Sequence, residues 1–271
     1  MVSGSGGLSV RPGRRFFTMK RLFLLLAGIL PAFLTFAQNG QVPRIVDEGG
    51  AGSYKAVIVS DPALPGCTVY RPSDLVAASA RTTVPLVLFE GSKGNDYDRY
   101  LSEIASFGYV IVAFDPSVRP MEGLLDDARD SFRLGGLPVD TAHVAAILAH
   151  PAGTSVLPKG IGTAVCIHRV RPASDIPVLL LAGGMDARYP DVLGSFEAPG
   201  NAFIAMATYP AGPEGTFSES FGGSYASLTF QWLEWQLKGK PWSRKVFTGE
   251  ECICIYSGWG IQFKNENTVI D

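Results

Sequence analysis

The chain has 271 residues, of which 46% are apolar and only 18% charged, with a formal net charge of -2 and a pI near 6.0. That content supplies a sizeable core and excludes a disordered chain. Beyond the N-terminal segment there is no Lys/Arg run to gather phosphates, so nucleic acid is not an expected partner.

In chain order, the first signal is Lys20 and Arg21 ahead of an apolar run, residues 22–34, then Thr35, Phe36 and Ala37 before the polar Gln38, Asn39 and Gly40. This pattern predicts a signal peptide cut after Ala37, so that residues 1–37 are extension and leader and residues 38–271 form the mature chain. Arg14 and Arg15 with Phe17 offer a twin-arginine alternative, and the start lies at Met1 or Met19. Either route predicts an exported protein, periplasmic or secreted. The apolar run is shorter than the roughly 20 residues a spanning helix needs, and no later stretch is longer, so no membrane span is expected after leader removal.

From about residue 50 onward no Ser/Gly-rich linker or charge run divides the sequence, which predicts a single domain. Short aliphatic runs at 56–59, 84–89, 109–114, 144–148, 164–167 and 178–181 lack strict alternation. Strands buried on both faces of a mostly parallel sheet have that composition. Between two of them, Tyr97, Tyr100, Leu101, Ile104 and Ala105 recur at helical spacing, and Gly108 closes the helix. A second helix, over 225–237, carries Tyr225, Leu228, Trp232 and Trp235 on one stripe and should be largely buried, with Gly239 and Pro241 ending it. Strand and helix in alternation predict a three-layer α/β/α sandwich. Function then belongs at the carboxyl ends of the strands, on loops that start near Glu90, Asp115, Ala149, Gly183 and Thr208. Trp232 and Trp235 read as core, whereas Trp242 and Trp259 are candidates for exposure and for carbohydrate stacking.

Export would permit disulfides, and there are four cysteines. Cys166 sits in an apolar run and reads as a buried thiol. Cys252 and Cys254 point the same way on an extended segment, and either could pair with Cys67. The three histidines, His143, His150 and His168, lie far from Cys252 and Cys254 in sequence, so no metal site or cofactor is expected.

In the second half, Ile176-Pro177-Val178 leads to Gly183-Gly184, Asp186 and Tyr189-Pro190, followed by Phe221-Gly222-Gly223, the segment 232–239, Phe247, Cys252, Cys254, Trp259 and Lys264-Asn265. This ordered pattern resembles secreted bacterial α/β hydrolases related to the dienelactone-hydrolase and cutinase-like polyester-hydrolase groups. Weaker matches at 70–72, 84–94 and 100–113 extend the resemblance over roughly residues 67 to 267. It implies an α/β-hydrolase-like fold with a serine nucleophile in a G-x-S-x-G elbow, an acid and a histidine.

The sequence departs from that pattern where the chemistry should be. The family's serine falls on Pro151 and the preceding glycine on Ala149, while its histidine falls on Pro213. Proline has no hydroxyl to attack an acyl carbon. The helix expected after the elbow is replaced by a stretch, 155–162, with Pro158 and two glycines. The acid position survives as Asp186, left with no histidine to orient. Glu90-Gly91-Ser92-Lys93-Gly94 stands where the family has a glycine-rich oxyanion run, and Glu90 would put negative charge near a developing oxyanion. These changes predict a non-catalytic exported protein that binds a small molecule or polymer at a cleft drawn from Glu90, Gly91, Ser92, Asp115, residues 149–154, His150, His168, Asp186 and Pro213. The alternative is a carboxylic-ester hydrolase with a relocated site, built on Ser92 or Ser117 with His150; His168 and Asp186 could share its rim.

Overall fold

The computed structural model describes residues 50–73, 83–91, 95–151, 153–210, 212, 216–249 and 258–268. All fall in one compact unit, Gln41–Asp271. The leader and start sites, together with Ser92, Lys93, Pro213, Cys252 and Cys254, lie outside the described residues.

Nine strands among the described residues form one sheet: β1 Ala56–Val59, β2 Cys67–Pro72, β3 Val84–Glu90, β4 Val110–Phe114, β5 Val139–Leu148, β6 Ile161–Ile167, β7 Val178–Gly183, β8 Ile204–Tyr209 and β9 Gly260–Lys264. Their order is β1-β2-β4-β3-β5-β6-β7-β8-β9. The six strands from β4 to β8 run parallel, and β1, β2 and β9 pair antiparallel at the margins. Every residue of β3 and β7 is buried, as two-sided cover requires. The helices are α1 Asp98–Ser106, α2 Leu124–Leu134, α3 Tyr189–Glu197, α4 Gly223–Lys238 and the single turn α5 Pro241–Arg244. The fold is a three-layer α/β/α sandwich, as the alternating pattern predicted, and its strand order with an antiparallel β2 is α/β-hydrolase-like, as the resemblance implied. None of the described helices is long and apolar enough to cross a membrane.

Alternate residues of each central strand serve opposite layers. Val87, Phe89, Ala145, Ile147 and Val165 meet Tyr100 and Ile104 of α1 and Tyr225, Leu228 and Trp232 of α4. Leu86, Leu88, Ala146 and Cys166 meet Leu124 and Phe132 of α2 and Val192 and Phe196 of α3. The aliphatic run at 144–148 is only the second half of β5. Pairing with β3 jumps from Pro85↔Asp140 to Leu86↔Val144, and the Asp140 carboxylate takes the Ala142 N–H at 2.8 Å and the His143 ring nitrogen at 3.0 Å inside the bulge. That polar interruption hides the strand's beginning in the sequence.

Helix α4 is fastened by its polar atoms as well as its apolar stripe. The Trp232 indole N–H donates to Thr163 Oγ1 at 2.9 Å, and that hydroxyl donates to the Pro177 carbonyl at 3.0 Å, tying α4 to β6 and to the entry of β7. Tyr109 donates to Glu234 Oε1 at 2.7 Å, with Lys238 on the same oxygen at 2.6 Å. Ahead of α4, Gly222 adopts φ +69°, and a Cβ there would lie 2.5 Å from the Tyr100 Cα, so the close approach to α1 requires glycine.

Three expectations need correction. Pro241 does not end a helix; Gly239, with φ +62°, caps α4, and Pro241 begins α5, where the missing N–H costs nothing. Trp259 is buried, tilted against Tyr209 and edge-on to Tyr225, while Trp242 is 74% exposed. Cys67 is a free buried thiol rather than half of a disulfide, because its place in β2 turns it into the layer of Val69 and Phe114. Cys166 is likewise free and buried, as read, with burial pushing its thiol up to about 12.

Replacing Trp232 by alanine should therefore cost about 3–5 kcal/mol, since cavity and lost indole bond add. Urea unfolding of Trp232→Ala against Trp232→Phe, which keeps most of the volume, checks this: the phenylalanine variant should lose clearly less.

Candidate functional site

The predicted site lies where β3, β5, β6 and β7 end. After β5 come Ala149, His150 and Pro151, with Pro151 exposed. The Gly153 N–H returns to the His150 carbonyl at 3.2 Å in a tight turn, and no helix forms among the described residues between Leu148 and Ile161. The helical N-terminus that would supply oxyanion donors is therefore missing, as expected.

Glu90, read from sequence as a cleft residue, is 0% exposed. Its carboxylate is the centre of a clamp. Arg169, which follows β6, reaches Glu90 Oε1 with Nη1 at 2.7 Å and donates from the same nitrogen to the His150 carbonyl at 3.0 Å and from Nη2 to the Thr154 carbonyl at 2.7 Å. Thr154 donates its N–H to both carboxylate oxygens, at 3.1 and 2.9 Å, and its hydroxyl to Oε2. A carboxylate out of water needs a counter-charge and donors, and β6 and the β5–β6 loop provide both. Glu90 therefore offers nothing to a ligand, and its charge is neutralised internally. Gly153 is fixed by the same clamp: a Cβ there would sit 1.7 Å from Glu90 Oε1.

Asp186 is not left without a histidine. His168 Nδ1 lies 2.8 Å from Asp186 Oδ2, a pair that joins the end of β6 to the loop after β7. The Arg188 N–H donates to Asp186 Oδ1 at 2.7 Å, and its guanidinium approaches the same oxygen at 3.5 Å. Burial alone would raise the Asp186 carboxyl, but the Arg188 N–H, His168 and the Arg188 guanidinium together hold it below its ordinary value. Burial likewise dominates at His168 and pushes it down to about 4 against the pull of Asp186. Near neutrality the pair is thus a carboxylate accepting Nδ1–H from a neutral imidazole. Its Nε2 is buried and has no hydrogen-bond partner among the described residues, and the ring lies 5.7 Å from that of Tyr225. His168 is 3% exposed, so it does not line a solvated rim, and it holds φ +54°, a conformation few side chains adopt.

A histidine oriented by a carboxylate is an arrangement also found in the base half of hydrolytic triads; here it has no solvent access. In sequence the only clue was that His168 and Asp186 follow adjacent apolar runs. Asp115 and Ser117 form an exposed turn of their own, in which Ser117 donates its N–H at 2.8 Å and its hydroxyl to Asp115 Oδ1. Gly91 bridges the ends of β3 and β4, its N–H donating to the Phe114 carbonyl at 3.1 Å.

Arg169→Met should destabilise the fold by about 3–5 kcal/mol, because a buried carboxylate is left unpaired. Adding Glu90→Gln should recover part of that loss in denaturant unfolding, since the amide still accepts from Thr154 and needs no counter-charge. For the second pair, the unfolded chain takes up a proton at residue 168 that the folded chain refuses between about pH 6.5 and 4. Stability should accordingly fall as pH drops through that window, and further as Asp186 protonates below it. Thermal melts of His168→Asn, which tolerates positive φ, should show a flatter dependence from pH 6.5 to 4.

The chain matches no family model and no curated protein sequence. Among solved structures it is similar to one from a study of two fungal esterases of Rhizomucor miehei, at 12% sequence identity and a TM-score of 0.47, over 74% of this chain and 87% of that one.

Proposed function

We propose that this is an exported, non-catalytic protein of α/β-hydrolase-like fold that uses the carboxyl-end face of its sheet to bind a ligand. The observation that carries the reading is the end of β5, where a hydrolase of this fold needs a hydroxyl and free N–H donors. This chain has Pro151 there, and the Thr154 N–H is already given to the buried Glu90 carboxylate. Proline supplies no nucleophile at that position, and the nearby Thr154 N–H is not available to an oxyanion.

A second reading, an ester hydrolase with a relocated site, is favoured by one observation: the His168–Asp186 pair has the polarity and orientation of a general base. Hydrolysis of p-nitrophenyl acetate and butyrate, together with labelling by a fluorophosphonate probe, separates the two. The non-catalytic reading expects rates equal to buffer for the wild type, His168→Asn and Asp186→Ala, and no labelled serine. Turnover that disappears in His168→Asn, or stoichiometric labelling of a serine, would establish the second reading and overturn the first.

A further inference from the structure

Two cations are held side by side where β8 starts and β9 ends. Lys264, the last residue of β9, pairs with Ile204, the first of β8, and so marks the amino ends of the parallel strands, away from the Glu90 clamp and the His168 pair. Its Nζ donates to the Ala198 carbonyl, just past the end of α3, at 2.5 Å. Arg171, in the β6–β7 connection, reaches the same carbonyl with Nη2 at 3.5 Å, and donates from Nη2 to the Pro199 carbonyl at 3.0 Å and from Nε to that of Ser195 at 3.2 Å. Sharing one acceptor puts the two nitrogens no more than about 6 Å apart.

The C-terminus of α3 accounts for the carbonyls but not for the charge. A helix end carries the equivalent of about half a negative charge, and two full positive charges stand against it. Among the described residues no carboxylate makes up the difference: neither cation has an ion pair, although Asp175, Glu197 and Glu266 are close in sequence. Burial, then the Arg171 guanidinium, hold the Lys264 ammonium below its ordinary value, with no anion acting in the opposite sense. Cations fixed this close repel one another, and an anion that both can reach removes the penalty.

Both side chains keep donors for such an anion. Arg171 Nη1 makes no hydrogen bond among the described residues, and Lys264 uses one of its three N–H groups. The Phe196 ring, 5.6 Å from Nζ, helps to fix the ammonium. Gly200 leaves the guanidinium uncovered: a Cβ there would stand 3.2 Å from Nη2, and no positive φ calls for glycine at that position. Asn265 ties the same loop to the tail, donating from Nδ2 to the carbonyls of Gly200 and Ala202 at 2.9 and 2.7 Å.

We propose that Arg171 and Lys264 bind a phosphate group, one oxygen accepting from Arg171 Nη1 and another from Lys264 Nζ. Two facing charges favour a dianion over a carboxylate. The inference is independent of whether the carboxyl-end face catalyses.

Calorimetry and phosphorus NMR with inorganic phosphate, at constant ionic strength in chloride, should show one saturable site with a Kd on the order of 1 mM. Lys264→Gln, whose amide can still donate to the Ala198 carbonyl, should weaken phosphate at least about 10-fold. Acetic anhydride labelling read by peptide mass spectrometry needs no variant: saturating phosphate should slow acetylation of Lys264 at least about 3-fold and leave the exposed Lys240 unchanged. Glycerol phosphate, run alongside, separates two sources of the group: binding as tight as that of phosphate assigns the site to phosphate monoesters, and exclusion assigns it to the free ion. Absence of saturable phosphate binding to the folded wild type, equal affinity in folded Lys264→Gln, or no protection of Lys264 at saturating phosphate overturns the inference.

Discussion

The arrangement of the carboxyl-end face follows from one constraint, the burial of the Glu90 carboxylate at the end of a central strand. Out of water it must be neutralised and fully bonded. Arg169 supplies the charge, and once its guanidinium is in place it draws in the carbonyls of His150 and Thr154. In a helix starting after β5, the His150 carbonyl would take the Thr154 N–H. Here the carbonyl goes to the guanidinium and the N–H goes to the carboxylate. The clamp and the helix compete for the same backbone groups, and the clamp holds them.

The end of β6 is consequently the keystone of the face. Two successive residues point to opposite neighbours: Arg169 back across β5 to β3, and His168 forward to the loop after β7. The left-handed φ at His168 supplies the change of direction between them. Each pair binds together loops that no crossover helix supports, since β5–β6 and β6–β7 are both joined without one among the described residues. Ion pairs and carbonyl bonds thus stand in for the helix packing that covers the β3–β4, β4–β5 and β7–β8 connections.

What the sequence disclosed followed the strength of periodicity. The buried strands and the two amphipathic helices were visible, because apolar runs and the stripe of Tyr225, Leu228, Trp232 and Trp235 are local features. Strand β2 was not, because its threonine and arginine break the run, nor was β9, whose residues are half exposed. Helix α2 carries five acidic and basic side chains within its first ten residues, and α3 has Pro190 as its second residue, so neither displayed a continuous stripe. That Pro151 and Pro213 carry neither hydroxyl nor imidazole could be read directly. The partnering of Glu90 with Arg169 and of Asp186 with His168 could not, because each joins residues on strands adjacent in space through contacts with no spacing rule. A carboxylate's role depends on whether it is buried, and residue type alone does not say.

Helix α4 also bears on how the chain reaches this state. It closes the layer over Ile147, Val165 and Leu179, yet it is built from residues 223–238, synthesised after the strands it covers, β1 to β8. In a chain emerging N-terminus first, only α1 is available to cover this layer until α4 arrives, and the Trp232 bond to Thr163 can form only then. Full covering of this face therefore waits on a helix made late in the chain, and the interval before it is when the chain depends most on being held apart from its own copies.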